Sequence, residues 1–539
     1  MINYWWVTRP KRKLNSIPDV LSVFSEQALN QVWAGQRGSH LSLEDALEGS
    51  GLKRKGDRRD QTGGGARTYK AWLSSLGLIF AQKDSRQVYL TLAGEAIMNG
   101  ESPVRILTSQ ILKYQFPSSF SLGRGVQVNP RFRIHPFWFL LKLLMDIRIK
   151  YLTQDEIAKI IIVEAENESH KCYEHIVDRI TSYRSYGDKC LAKDFFQQYK
   201  PSKGSINLDH PYSHLEDTAN TLINWLEYTQ FIMRENGRIF ILDEKRIDVM
   251  NIIRQPIPFI SRPEEHEYFQ RRYGLDPHHK KDTRNLSQTR TITAMLIAEQ
   301  RIKREFLSCA LKEPIGSISS QLIDKIAENT GINTEIVNEV LSKNYPHGAI
   351  GGFLSNYFEM AFKGREKCRD FEESTANIFR NVFKFDAIWL GSAWSGQEVP
   401  DVLIKSPDYN FQAIIDTKAY SRYELPSIHQ DRMIYHYLPE ISRYSKSSMP
   451  IGFFSYIAGG FSNSIASPIK KVVNATGING SALTVANFIK MTELHAVKPY
   501  THEEIKDIFS LNRKITLADI EIYDTTSLIA AEEKQVYDG

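Results

Sequence analysis

Cysteine is scarce in this 539-residue chain, with only Cys172, Cys190, Cys309 and Cys368. None sits in a CxxC pair and none has a histidine at zinc-like spacing, which argues against a disulfide framework or a structural metal site. Long apolar runs are missing as well. The longest, FWFLLKLLMDI from Phe137 to Ile147, is interrupted by Lys142 and Asp146. It falls well short of the roughly 20 residues that span a bilayer, and reads as a buried helix. The opening stretch MINYWWVTRPKRKLN puts two tryptophans before its basic run, the reverse of a secretory signal, so a cytoplasmic location is expected. With 42% hydrophobic and 24% charged residues, collagen-like and low-complexity tracts are excluded too. The pair His278-His279 in DPHHKKD reads as a solvated basic loop, because adjacent residues rarely point at one ion.

The length suits three or four domains at roughly 100–200 residues each. Net charge is +5 but uneven: residues 1–350 carry +8 and residues 351–539 carry −3. A basic front and a slightly acidic back suit a polyanion-binding module joined to a different kind of domain. Two front segments share a plan. In Thr68–Met98 a helix carrying Trp72-Leu73 stops at Gly77, and two short strands flank the turn QKDSRQ. In Thr221–Leu242, Trp225-Leu226 takes the same place and Asn236-Gly237 marks a hairpin. A helix running into a two-stranded hairpin is the back half of a winged helix, which lays a helix in the DNA major groove. Such units also arise as ordinary packing solutions, but two in one register favour tandem winged-helix modules.

Basic clusters lie beside these units: Arg9, Lys11, Arg12 and Lys13, then Lys53, Arg54, Lys55, Arg58 and Arg59 ahead of the flexible TGGGAR. They are candidate contacts to DNA phosphates, against the plainer reading of solvated surface. Residues 140–200 and 285–345 read mainly helical, including Gln154–Glu166 and Ser319–Gly331. The proline-rich Arg254–Tyr268 reads as a connection, and a second joint is expected in NYPHGAIGG (Asn344–Gly352). The expected division is a DNA-recognition domain at 1–150, a second winged-helix-like domain at 151–255, a helical linker region at 256–352 and a nuclease domain at 353–539.

The segment VPDVLIKSPDYNFQAIIDTKAY (Val399–Tyr420) carries the chemistry. Two β-rich runs flank the turn signal SPDYN and read as a hairpin. With the turn centred near Asp408, residue 401 falls opposite about 415, beside Asp416. Alternation along a strand puts Asp416 and Lys418 on one face. Two carboxylates and an ammonium therefore converge, a setting for Mg2+, which prefers oxygen ligands. The metal neutralises a phosphoryl group and activates water, while Lys418 orients that water or steadies the transition-state charge. The pattern PD…DxK is short and recurs by chance. Asp243-Glu244-Lys245 is another acidic-x-Lys triplet, without an upstream Pro-Asp, and reads as a charged strand end.

Beyond the triplet, residues from about 365 to 524 resemble the FokI cleavage domain through FEESTANIFRNVF, WLGS, PD, IIDTKAYS with YELP, and GFFSYIAGGF. TVANFIKM looks like that family's helix before its C-terminal strands. The resemblance implies a PD-(D/E)xK nuclease, an α/β domain with a mixed sheet flanked by helices, dependent on Mg2+. It places Asp401, Asp416 and Lys418 in the catalytic positions, the carbonyl of Thr417 as a further metal ligand and Glu372 on an acidic family position. The front half is similar to the AlwI family of restriction and nicking enzymes, through VWAGQRG, the Thr68–Met98 unit, ILKYQFPS, HPFWFLLKLL and EEHEYFQRRYG. The expectation is a type IIS restriction endonuclease that binds a short asymmetric site in double-stranded DNA and cuts at a fixed distance. A strand-specific nicking enzyme and a winged-helix regulator are the alternatives. One centre holds one scissile phosphate, so double-strand cutting calls for a transient homodimer. The resemblance puts the contact on SIHQDRMIYHYL, with Asp431 on an acidic interface position and Tyr435 or His436 where the family pattern has Arg. The plainer reading is a helix that simply covers the sheet through Met433 and Leu438.

Overall fold

The computed structural model describes residues 1–55, 62–122, 127–201, 210–286, 294–393 and 399–523. The chain divides into two compact units, residues 1–308 with 319–346 and residues 309–318 with 347–539. The proline-rich stretch near residue 260 is irregular, as expected, but lies inside the first unit. The last change of unit comes between Pro346 and His347. No helix among the described residues is long and apolar enough to cross a membrane.

The first unit is mainly helical. Helices Ile17–Ala28, Arg37–Gly49 and Gly64–Ser75 precede an antiparallel ribbon of β1 (Ile79–Ala81) and β2 (Val88–Leu90). Further on, β3 (Leu152–Thr153) and helix Ser213–Tyr228 precede β4 (Ile232–Glu235) and β5 (Arg238–Ile241), in the order β3-β5-β4. Asn236 and Gly237 at the tip have φ of +50° and +73°, as a two-residue hairpin turn requires. The shared Trp-Leu register has a physical basis. Trp72, Leu73, Trp225 and Leu226 are all fully buried, and Trp225 stacks on Phe137 with ring centres 5.7 Å apart. In both places a residue ahead of the hairpin joins its second strand: Val32 bridges Gln87, and β3 pairs with β5.

Within Gln154–Glu166 the expected helix is interrupted. It runs as Gln154–Glu156, a π-helical turn Ile157–Ile161, then Ile162–Glu164, with its isoleucines enclosed on every side. Ser320–Thr330 is a helix closed by Gly331 at φ +68°, the left-handed cap its sequence announced.

The second unit is built on a five-stranded mixed sheet, order β10-β9-β8-β7-β6. Its strands are β6 (Asp386–Trp389), β7 (Val402–Ser406), β8 (Phe411–Lys418), β9 (Ile451–Ala458) and β10 (Gly480–Thr484). The first three run antiparallel in sequence order, and β9 and β10 add parallel to β8. Helices cover both faces, so β8 is buried along nearly its whole length, as its apolar run FQAII demands. Phe379, Phe453, Phe488 and Phe509 fill one side. On the other, Leu403, Ile414, Phe454 and Tyr456 meet Met433, Tyr437 and Leu438 from the segment after β8. TVANFIKM lies at the start of helix Val485–Val497, but among the described residues no strands follow it. Helix His502–Phe509 comes next, and Lys514 adds a single bridge to Ala482.

Candidate active site

β7 and β8 are joined by a turn at 407–410, where the Asn410 N–H donates to the Pro407 carbonyl at 3.2 Å. Ser406 pairs with Phe411 and Val402 with Ile415. The register thus sits one residue from the sequence estimate, which brings Asp401 level with Asp416 itself. Asp416 lies in the buried part of β8, which ends at Thr417, and Lys418 follows on the same face as Asp416.

The charges meet closely. Lys418 Nζ donates to Asp416 Oδ1 at 2.7 Å and to the Thr417 carbonyl at 3.1 Å, and lies 3.8 Å from Asp401 Oδ2. Asp401 Oδ2 also accepts from the Thr417 N–H at 2.6 Å and from Thr417 Oγ1 at 3.0 Å. The Asp416 side chain is 4% exposed, and those of Asp401 and Lys418 are 17% exposed. Burial drives the Asp401 carboxyl well above its usual range, with Asp416 and Glu372 adding to the rise and Lys418 opposing it. Burial also works against the Lys418 charge, but the surrounding carboxylates outweigh it and hold the ammonium above its usual range.

Glu372 belongs to helix Cys368–Asn381 and accepts a hydrogen bond from Trp389 Nε1 at 3.2 Å. Burial raises its carboxyl, and its charge reaches both Asp401 and Lys418. Among the described residues no three His, Cys, Asp or Glu side chains form a ready-made metal cluster. Two carboxylates and a main-chain carbonyl do face one cation, the Lys418 ammonium, and that oxygen set is one Mg2+ accepts alongside waters and phosphate oxygens. The competing triplet Asp243–Lys245 is a single 3-10 turn after β5, with Asp243 paired to Arg246 at 3.2 Å on an exposed surface.

The basic candidates of the first unit fare unevenly. Arg12 pairs with Asp217 at 2.6 Å, and Arg9 donates to Thr218 Oγ1 at 3.3 Å, both on helix Ser213–Tyr228. Lys53 is held by Glu44 at 2.7 Å and Glu48 at 2.5 Å. Lys11 is half-buried, Arg54 is exposed, and Arg58 and Arg59 lie outside the described residues. A feature the sequence reading missed is an open groove of about 1010 Å3, lined by Lys83, Phe259, His266, Tyr268, Arg272 and Lys280 among others. Arg262 and Arg272 both lie over the Tyr268 ring, at 4.1 and 4.5 Å. A tyrosine three residues before an Arg-Arg pair, in EYFQRR, was the available signal.

After β8 the chain forms helix Ser427–Arg432 and then a π-helical turn Met433–Tyr437. Met433 and Leu438 cover the sheet, as the plainer reading has it. Ile428, Asp431 and Tyr435 remain exposed on the outer side.

Two families match the chain. The FokI cleavage domain matches residues 331–516, and the AlwI restriction endonuclease family matches residues 74–340. No curated protein matches. Among solved structures, restriction endonuclease FokI aligns over 96% of this chain and 100% of its own, at 15% identity and a TM-score of 0.27. FokI bound to DNA aligns over 95% and 99%, at 15% identity and 0.28. The BpuJ1 endonuclease binding domain in complex with modified DNA aligns over 50% of this chain and 97% of its own, at 13% and 0.35. These superpositions are loose, and the assignment rests on the family matches. A regulator would leave the matched cleavage domain unexplained. The chain is a restriction endonuclease, a site-specific deoxyribonuclease AlwI-like through residues 74–340 and FokI-like in cleavage domain through residues 331–516.

Proposed function

We propose that the chain is a type IIS enzyme: the region before residue 353 reads a short asymmetric DNA site, and the domain from 353 onward hydrolyses phosphodiester bonds at a fixed distance from it. The observation that carries this reading is the meeting of Asp401, Asp416 and Lys418 at one end of the β7–β8 hairpin, inside the stretch matching the FokI cleavage domain. The two helix-plus-hairpin modules of the first unit are read as winged helices. Their extra strand pairing onto the second hairpin strand supports that reading. Lys83, Arg272, Lys280 and Lys281 have no carboxylate partner among the described residues and border one groove, where phosphate contacts are favoured. The cell compartment is proposed to be the cytoplasm.

Asp401, Asp416 and the Thr417 carbonyl would hold Mg2+. When bound, the ion supplies Lewis-acid neutralisation of the phosphoryl oxygens and a more acidic water. Lys418, released from Asp416, orients the attacking water or steadies the charge that develops on phosphorus. Glu372 adds negative charge beside the pair. Water adds to phosphorus, the bond to O3′ breaks, and the products are a 5′-phosphate and a 3′-hydroxyl. The test is cutting of plasmid with and without Mg2+, followed by mapping of the ends. Cuts scattered at no fixed distance from a common site would overturn the type IIS reading.

One observation favours a second reading. Among the described residues there is one such centre, and one centre serves one strand. A transient homodimer through the exposed Asp431 and Tyr435 face gives double-strand breaks, whereas failure to pair gives a nicking enzyme. Linear against open-circular product separates the two.

A further inference from the structure

The loop between Lys418 and the covering helix is fastened at more points than a connection needs. The Tyr423 N–H donates to the Gly460 carbonyl at 2.9 Å, and the Ser462 N–H donates to the Tyr423 carbonyl at 3.0 Å. Gly460 allows this approach, because a Cβ there would lie 2.3 Å from the Ser421 carbonyl oxygen. The loop then passes through Leu425, a fully enclosed side chain at φ +52°, where a branched residue is strained. Something must hold that conformation against relaxation.

Two phenols reach the same residue of the following helix. Tyr423 Oη lies 2.5 Å from His429 Nδ1, and Tyr456 Oη donates to the His429 carbonyl at 3.4 Å. Tyr423 and Tyr456 are buried with ring centres 6.2 Å apart. Tyr456 is the cross-strand neighbour of Asp416, so the two side chains stand side by side on one face of the sheet. The charges of Asp416 and Asp401 reach the Tyr423 hydroxyl, where burial comes first among the causes that raise it.

We propose that His429, gripped by Tyr423 and Tyr456, is a positioning residue that fixes the 419–426 loop and with it the placement of Lys418 and Asp416. It touches neither DNA nor the reacting atoms in this scheme. Its effect runs through the loop that begins one residue after Lys418. The inference rests on reading Asp401, Asp416 and Lys418 as the catalytic centre.

The test uses the full chain with its specific DNA bound beforehand, and follows single-turnover cutting after Mg2+ is added. Tyr423→Phe and His429→Ala should each slow cutting at least about tenfold, since misplacement on the order of 1 Å costs that much or more. DNA affinity should stay within about twofold in both. His429→Asn offers a donor and an acceptor at the Nδ1 position and should restore cutting to within about threefold. The double variant should be no slower than the slower single one, because both remove one contact. Wild-type cutting by Tyr423→Phe, or a double variant slowed by the product of the two, would overturn the proposal. Thermal unfolding is recorded for each variant. Should the first two fail to fold, His429→Asn against His429→Gln decides, and equal rates overturn the proposal. Asp416→Ala in parallel separates the failures. If it cuts normally the centre itself is misread, and if it is inert while Tyr423→Phe is normal only the positioning role falls.

Discussion

The two units handle charge in opposite ways. At the end of β8, carboxylates and an ammonium are drawn together out of water, 2.7 and 3.8 Å apart, although burial alone works against the charges of Asp401 and Lys418. In the first unit the cations are more numerous, yet several are tied to carboxylates one by one: Arg12 to Asp217, Lys53 to Glu44 and Glu48, Arg271 to Asp282. Concentrated, mutually perturbed charge marks chemistry. Dispersed and neutralised charge marks architecture, and the cations that matter for a polyanion are those left over. A basic count therefore overstates the proposed binding surface, while a two-residue acidic pair understates the proposed active centre.

The sharpest way to break this contrast is to remove one member of the concentrated site. Asp416→Ala or Lys418→Ala should lower cutting by roughly a thousandfold or more while specific binding stays within a few-fold. Gel-shift and cleavage assays on the same preparation check it, and near-normal cutting by either variant would remove the centre. A smaller effect is expected on the outer face of the covering helix. Asp431→Arg should leave mostly nicked product, and the wild type should cut both strands of a one-site substrate faster than linearly with enzyme. Strictly first-order dependence with linear product throughout would mean that a monomer cuts both strands.

Structural charge in the first unit should register in stability instead. Asp282 is enclosed between Arg271 and Arg284 at 3.0 and 2.8 Å, and despite burial these guanidiniums hold its carboxyl well below the usual range. A depressed folded value stabilises above the unfolded pKa of about 3.9 and is lost as pH falls through the folded value. Asp282→Asn should cost about 2 kcal/mol at neutral pH, less the further the pH falls below 4, as read from denaturant unfolding. The smallest effects discriminate among surface cations. Arg272→Ala should weaken DNA binding several-fold and flatten the log–log salt slope by about one. Arg12→Ala, at an exposed pair worth about 0–1 kcal/mol, should change neither binding nor stability appreciably. Equal effects from both would erase the distinction between tied and untied cations.

The hairpin proposed to be catalytic was legible because everything it needs lies within about 20 residues. Turn chemistry at Ser406–Asn410 and strand alternation bring Asp401 to Asp416, and the one-residue error in register came from centring the turn on Asp408 instead of between 408 and 409. The Trp-Leu register of the two front modules was legible for the same local reason. Arg12 was not, because its partner Asp217 lies 205 residues away. The interruptions at Ile157–Ile161 and Met433–Tyr437 also left no periodic trace, since a wider helical turn is selected by what packs against it. His429 stood in plain view six residues from Tyr423, but only a bent loop makes six residues a contact.

The strand order of the cleavage domain has a kinetic side. Because β6, β7 and β8 pair in the order they are synthesised, the two aspartates can be brought together by short loops, on the microsecond scale of hairpin closure. Parallel pairing of β9 must wait for the crossover through residues 419–450, a slower and less local step. The tyrosine that stands beside Asp416 arrives only with that step. By this order of contact lengths, the acidic pair is expected to gather before the wall around it is complete.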